Sequence, residues 1–139
     1  MGTHRRKEEH RNGEVSGLRI VIADDDERMR EFYVVVLSAL GHEVTGTAAN
    51  GYELVDRCLN ERVDLVITDI KMPGLDGIGA AHVITERVAL PFLFVSAYHD
   101  EALIREASMS CNYGYLVKPI KQQDLATSIP IAVQRFRAR

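Results

Sequence analysis

Five side chains of this 139-residue sequence stand where chemistry is easily assembled: Asp24 and Asp25 after RIVIA, Asp69 after DLVIT, Ser96 after PFLFV and Lys118 after YGYLV. Each follows a short run of apolar, β-branched or aromatic residues, the pattern of a strand buried on both faces. If these strands lie side by side and parallel, their carboxyl ends share one crevice. Three carboxylates in that crevice repel one another by roughly 4 kcal/mol per pair at 4 Å and an effective dielectric near 20. Something positive must therefore sit among them. Carboxylate oxygens with room left for water are the donors that Mg2+ selects. The Ser96 hydroxyl and the Lys118 ammonium supply the complement, and the set suits phosphoryl transfer to Asp69, with the metal and the lysine facing the phosphoryl charge.

The elements that must position these residues alternate along the chain. RIVIAD reads as a strand. Met29, Phe32, Tyr33, Val36, Leu37 and Leu40 then recur at helical spacing, and Gly41 closes the stretch. HEVTGTA is a second, weaker strand, and a helix follows from about Gly51 to Glu61. DLVITD is the third strand, followed by a helix that begins after Asp76-Gly77 and carries Ile78, Ala81 and Ile84. PFLFVSA, a helix from about Asp100 to Met109, the strand YGYLVK and a last helix from about Gln122 complete five βα units. The expectation is a flavodoxin-like, doubly wound α/β domain with a five-stranded parallel sheet in the order 2-1-3-4-5 and five helices. In that order the first and third strands flank the point where the winding reverses.

Composition narrows the setting. With 46% hydrophobic and 27% charged residues the chain suits one globular domain, and a net charge of −3 offers no field that would draw nucleic acid or an anionic membrane. There is no apolar run long enough to span a bilayer and no leader-like segment, so a soluble cytoplasmic protein is expected. Residues 1 to 17, MGTHRRKEEHRNGEVSG, carry almost no large apolar side chain and read as a flexible arm, with the folded domain over residues 18 to 139. Cys58 and Cys111 lack zinc-site spacing and read as reduced thiols. His42, His82 and His99 have no ligand spacing either.

IVIADDDERMR, VITDIKMPGLDG, FLFVSA and YGYLVKPI, taken in that order, resemble the motifs of response-regulator receiver domains over about residues 18 to 128. The resemblance implies a phosphoacceptor of a two-component phosphorelay, with a histidine kinase or phosphotransfer protein as partner and homodimerisation as an open possibility. By position it implies that Asp69 accepts the phosphoryl group. Asp25, Asp69 and the Lys71 carbonyl would be direct Mg2+ ligands, Asp24 would act through water, and Ser96 and Lys118 would contact the phosphoryl oxygens. Tyr115 stands where the family places the aromatic whose rotamer follows the Ser/Thr hydroxyl. Lys71 and Tyr98 stand where residues tune the lifetime of the phosphoaspartate, and the Lys118-Pro119 peptide is implied to be cis. YLVKPIKQQDLATSIPIAVQRF is similar to receivers that precede an ANTAR-type RNA-binding module and to receivers fused to sensor kinases.

Simpler roles compete at several positions. Asp26 with Glu27 suits a helix N-cap better than a metal site. Ser96 could be a turn hydroxyl, Lys118 a solvated surface lysine and Tyr115 a core aromatic. A haloacid-dehalogenase-like phosphatase also places an aspartate at a strand tip, but it needs a second acid two residues on, where this chain has Lys71. A receiver that acts only as a binding scaffold usually lacks one of the acids or the lysine. Cys111 and Asn112 stand where receivers often have Gly-Ala, and Ile120 where Phe is common. Pro130 interrupts the periodicity of Leu125, Ile129, Val133 and Phe136, which predicts a last helix over about 122–137 that kinks or restarts near Ser128 to Pro130.

Overall fold

In this computed structural model residues 15–97 and 110–139 are described. In chain order their elements are β1 (Arg19–Ala23), α1 (Glu27–Ala39), β2 (Glu43–Ala48), α2 (Gly51–Asn60), β3 (Leu65–Asp69), α3 (Gly77–Thr85), β4 (Phe92–Ser96), β5 (Asn112–Val117) and α4 (Gln122–Arg137). The five strands form one parallel sheet in the order β2-β1-β3-β4-β5, as the alternating pattern predicts. Four helices lie among the described residues. The further helix expected from about Asp100 to Met109 lies outside them, as do Tyr98, His99 and residues 1–14.

β3 and β4 are buried at every position, which is why their sequences are continuously apolar rather than alternating. Their side chains divide between two core clusters, one on each face of the sheet. Ile20, Ile22, Leu65, Ile67, Leu93 and Val95 meet α1 and α4 on one side. Val21, Val66, Phe92 and Phe94 meet α2 and α3 on the other. Helix starts follow local chemistry. Asp26 caps α1 by accepting from the Arg28 N–H at 2.9 Å, Asn50 caps α2 through the Glu53 N–H, and Asp76 caps α3 through the Gly79 N–H.

Two details depart from the sequence expectations. The packed chain begins upstream of Leu18: Val15 is only 7% exposed and belongs to the first core cluster, and the Gly17 N–H donates to the Gly41 carbonyl at 2.7 Å. The arm expected over residues 1 to 17 therefore gives way to packed chain by Val15, because one apolar side chain finds a place between α4 and the end of α1. Of the two outcomes expected near Pro130, a kink or a restart, the restart does not occur: helix α4 runs as one element through Pro130. A proline there costs about 3 kcal/mol. Leu125 and Ile129 before it and Ala132 and Val133 after it are all buried, and each large apolar side chain buried contributes about 1.5 to 3 kcal/mol. Packing on both sides of the proline outweighs the lost hydrogen bond. Beyond it Phe136 meets Tyr113 edge to face at 5.5 Å, and the Arg139 guanidinium lies 3.7 Å from the Phe136 ring centroid.

His42 is buried where β2 begins, and its Nδ1 accepts from the Leu18 N–H at 3.3 Å. Burial lowers its pKa below the ordinary 6.5. Above that value the ring is neutral in both the folded and the unfolded chain. As pH falls through it the unfolded chain takes a proton that the folded chain resists, so stability is lost down to the folded pKa. The urea midpoint should fall between about pH 7.5 and 5.5, and should fall less in His42→Gln, whose amide oxygen can accept from Leu18 but cannot be protonated. Identical pH responses in the two proteins would refute this role.

Candidate functional site

Sheet register brings the strand tips together. Ala23 pairs with Thr68, Asp69 with Val95 and Ser96 with Val117, and the Lys118 N–H donates to the Ser96 carbonyl at 2.9 Å. Asp24, Asp69, Ser96 and Lys118 therefore follow one another across neighbouring strands at one edge of the sheet. Asp25 stands beside Asp24 and is exposed. One oxygen from each of Asp24, Asp25 and Asp69 lies within 4.8 Å of the other two.

The turn after β1 explains how a fully buried carboxylate is tolerated. Asp24 Oδ1 accepts from the Asp26 N–H at 2.9 Å, while Asp26 itself caps α1. Asp24 Oδ2 lies 3.2 Å from the Lys118 ammonium but outside hydrogen-bonding alignment, so this buried oxygen has no directed donor. Burial raises the Asp24 pKa; the Asp26 N–H and the Lys118 charge oppose the rise, and the neighbouring Asp69 charge adds to it.

Lys118 Nζ donates to Asp69 Oδ2 at 2.8 Å. Its side chain is 31% exposed. Burial would lower its pKa, but the hydrogen bond and charge of Asp69, followed by the charge of Asp24, outweigh burial and hold it above the ordinary value. The alternative of a solvated surface lysine does not describe this geometry. The Lys118-Pro119 peptide is cis, as the resemblance implied.

Ser96 is fully buried, with Oγ 3.1 Å from its neighbour Ala97's carbonyl oxygen and 3.1 Å from the Tyr115 hydroxyl. A serine has one hydroxyl hydrogen and a carbonyl can only accept, so both contacts are satisfied together when Ser96 donates to Ala97 and Tyr115 donates to Ser96. Tyr115 on β5 is thus aimed toward the crevice. Lys71 is exposed in the loop after β3, between buried Ile70 and Met72. Tyr98 lies outside the described residues. At the entry to β5, Cys111 is buried and the Asn112 side chain accepts from the Gly114 N–H at 3.2 Å, beside a register shift against β4.

Sequence reasoning passes over three contributors. Arg30, one turn into α1, donates from Nη1 to the Asp24 carbonyl at 2.8 Å and ties the helix to the tip of β1. Thr68, buried inside β3, donates to the Asp69 carbonyl at 2.9 Å. Gly77 opens α3 so close to β3 that a Cβ would overlap the Asp69 carbonyl oxygen. Arg30 is legible only as part of an ordinary charged helix turn, and Thr68 only as a β-branched strand residue. The Asp76-Gly77 turn is the one signal that marks a close approach.

The donor set suits a hard divalent cation. It offers carboxylate oxygens from three neighbouring residues, one of them buried and lacking a directed donor, with an exposed carboxylate open to solvent. Mg2+ favours this combination of few protein oxygens and retained water.

A family model described as the response regulator receiver domain matches residues 20–130. The transcriptional regulatory protein PdtaR of Mycobacterium tuberculosis is 37% identical over 119 residues, covering 86% of this chain and 58% of that protein. The positive alginate biosynthesis regulatory protein of Pseudomonas aeruginosa is 35% identical over 124 residues, covering 88% of this chain and 50% of the other. The chain thus spans about half the length of these curated relatives. Among solved structures, the signal receiver domain of a modulated diguanylate cyclase from Desulfovibrio desulfuricans G20 superposes with a TM-score of 0.80 at 27% identity, over 88% of this chain and 98% of that one.

Proposed function

Since this chain belongs to the response regulator receiver domain family, we propose that Asp69 is its phosphoacceptor, taking a phosphoryl group from a phosphohistidine of a histidine kinase or phosphotransfer protein in the cytoplasm. The observation that carries this reading is the hydrogen bond at 2.8 Å from Lys118 to Asp69, set beside the Asp24 and Asp25 carboxylates. An Asp69 oxygen forms the bond to phosphorus as the donor's P–N bond breaks. Lys118 Nζ, already at Asp69 Oδ2, lies where it can follow the negative charge onto the phosphoryl oxygens. Ser96 turns its hydroxyl from the Ala97 carbonyl to a phosphoryl oxygen, and Tyr115, which contacts Ser96 Oγ, moves with it. That linked movement is the switch. Asp25, Asp69 and the Lys71 carbonyl would hold Mg2+, with Asp24 acting through water, and the ion would neutralise phosphoryl charge. Lys71 and Tyr98 tune the lifetime of the product.

The switch alters the domain's interaction surface, through which it meets a second copy or an output partner. We place the link to that partner at the end of α4 beyond Pro130. The domain itself binds no nucleic acid, and no helix among the described residues is long and apolar enough to cross a membrane.

Incubation with a small acyl phosphate and Mg2+ should give one phosphate adduct per chain, labile to hydroxylamine. A wild-type protein that stays unmodified would overturn the reading. Asp25→Ala should weaken Mg2+ binding at least about tenfold, because it removes one of two direct carboxylate ligands. An unchanged Mg2+ titration in that variant would assign the ion to other residues.

A further inference from the structure

The loop that leads away from Asp69 is held from two sides. On one side the Ile70 N–H donates to the Val95 carbonyl at 3.0 Å and the Gly77 N–H to the Ile70 carbonyl at 2.8 Å, fixing where the loop leaves β3 and where it enters α3. On the other stands the first turn of α2. The Gly51 N–H donates to the Leu75 carbonyl at 2.8 Å, an approach so close that a Cβ at Gly51 would overlap that carbonyl oxygen. Gly74 turns the loop with φ +74°. Nearest to the place a Cβ of Gly74 would occupy are Tyr52 Cε2 and Cδ2, at 2.9 and 3.5 Å. Tyr52 is nevertheless 65% exposed.

An exposed second helical residue has no need of an aromatic ring: tyrosine is a weaker helix former than the straight-chain residues, and this ring belongs to neither core cluster. What its edge covers is a glycine that has no side chain of its own to pack. Within the loop Ile70 and Met72 are anchored in the second core cluster, while Lys71, Pro73 and Gly74 face outward. Anchoring on the Lys71 side is thus supplied by the core, and on the Gly74 side by Leu75, packed against the same cluster, together with the first turn of α2.

We propose that Tyr52 is a positioning residue for the acid site. Its ring limits the excursions of residues 70–76 and so holds the Lys71 backbone in register with Asp69. This rests on the reading of the Lys71 carbonyl as a Mg2+ ligand. Nothing covalent changes at Tyr52; it acts through the loop alone.

The test compares wild type, Tyr52→Ala and Tyr52→Phe by amide hydrogen exchange of the metal-free protein and by Mg2+ titration followed by NMR. In Tyr52→Ala, exchange at the loop amides of residues 71, 72 and 74–77 should be faster by roughly fivefold, with β1 amides unchanged. Mg2+ affinity should be weaker by about tenfold, the lower end of what supporting residues outside the ligand shell contribute. Tyr52→Phe should match wild type in both, because the ring and not the hydroxyl covers Gly74. Loop exchange and Mg2+ affinity in Tyr52→Ala equal to wild type would overturn the proposal, as would a Tyr52→Phe protein as impaired as the alanine variant. A wild-type protein that binds no Mg2+ would defeat the receiver reading and this role together, whereas unchanged Tyr52→Ala beside a metal-binding wild type defeats only the role of Tyr52.

Discussion

Asp69→Asn abolishes phosphate uptake: with a small acyl phosphate and Mg2+ the adduct should form at least about a thousandfold more slowly than in wild type, in keeping with removal of a covalent nucleophile. The amide is almost the same shape as the carboxylate, and its oxygen can still accept from Lys118, so packing at the tip of β3 is preserved. It lacks the anionic oxygen that must bond to phosphorus. Its effect on folding should be small or favourable. Within 4.8 Å a pair of carboxylates repels by about 3 to 4 kcal/mol or more at an effective dielectric of 20, and the variant removes this repulsion along with the charge attraction, though not the hydrogen bond, to Lys118. Intact-mass measurement with and without hydroxylamine reads the chemistry, and a urea titration reads the fold. Should Asp69→Asn accumulate the hydroxylamine-labile adduct at the wild-type rate, the phosphoacceptor lies elsewhere.

Lys118→Met should separate two effects that usually change together. The ammonium lies 2.8 Å from Asp69 Oδ2 and 3.2 Å from Asp24 Oδ2. In the metal-free protein it is the cation that offsets their mutual repulsion. Removing a donor aimed at developing oxyanion charge typically costs about a hundred- to thousandfold in rate, and phosphate uptake should fall by that order. Mg2+ affinity should move the other way, rising roughly tenfold, because a dication no longer competes with a lysine for the same acids. Without Mg2+ the variant should be less stable than wild type by about 1 to 3 kcal/mol, below the usual cost of breaking a buried pair because the side chain is partly solvated. Added Mg2+ should therefore raise its melting temperature more than that of wild type. The sign of the lysine's own titration agrees: its pKa is raised in the folded state, so its contribution is complete below the ordinary lysine value and is lost as pH rises through the folded one. Equal or weaker Mg2+ binding by Lys118→Met would show that the lysine does not hold the acids in the metal's place.

Much of this architecture was legible before any coordinates. Continuous apolar runs such as LVIT and FLFV can be satisfied only by a sheet covered on both faces, and helical stretches between them require parallel strands. Once that is so, whatever ends each strand must meet at one edge, which is why Asp24, Asp69, Ser96 and Lys118 could be grouped from their positions alone. The cap Asp26 was equally local, since it acts within two residues of itself. What only the tertiary structure decided involves partners distant in sequence. That Lys118 lies between Asp24 and Asp69, rather than in solvent, depends on β5 lying three strands from β1, beyond β3 and β4, and on the rotamer the crevice leaves open. Val15 is packed, and α4 continues through Pro130, because neighbouring elements supply apolar contact that outweighs a local preference for disorder or breakage. The approach of Gly51 to Leu75 and the ring of Tyr52 over Gly74 leave no periodic trace in sequence, for they come from the first turn of one helix meeting a loop more than twenty residues further on. Short-range pattern determines which element forms and what stands at its tip; the distance and direction of a side chain at that tip are set by long-range packing, where a difference of one rotamer decides which charge it meets.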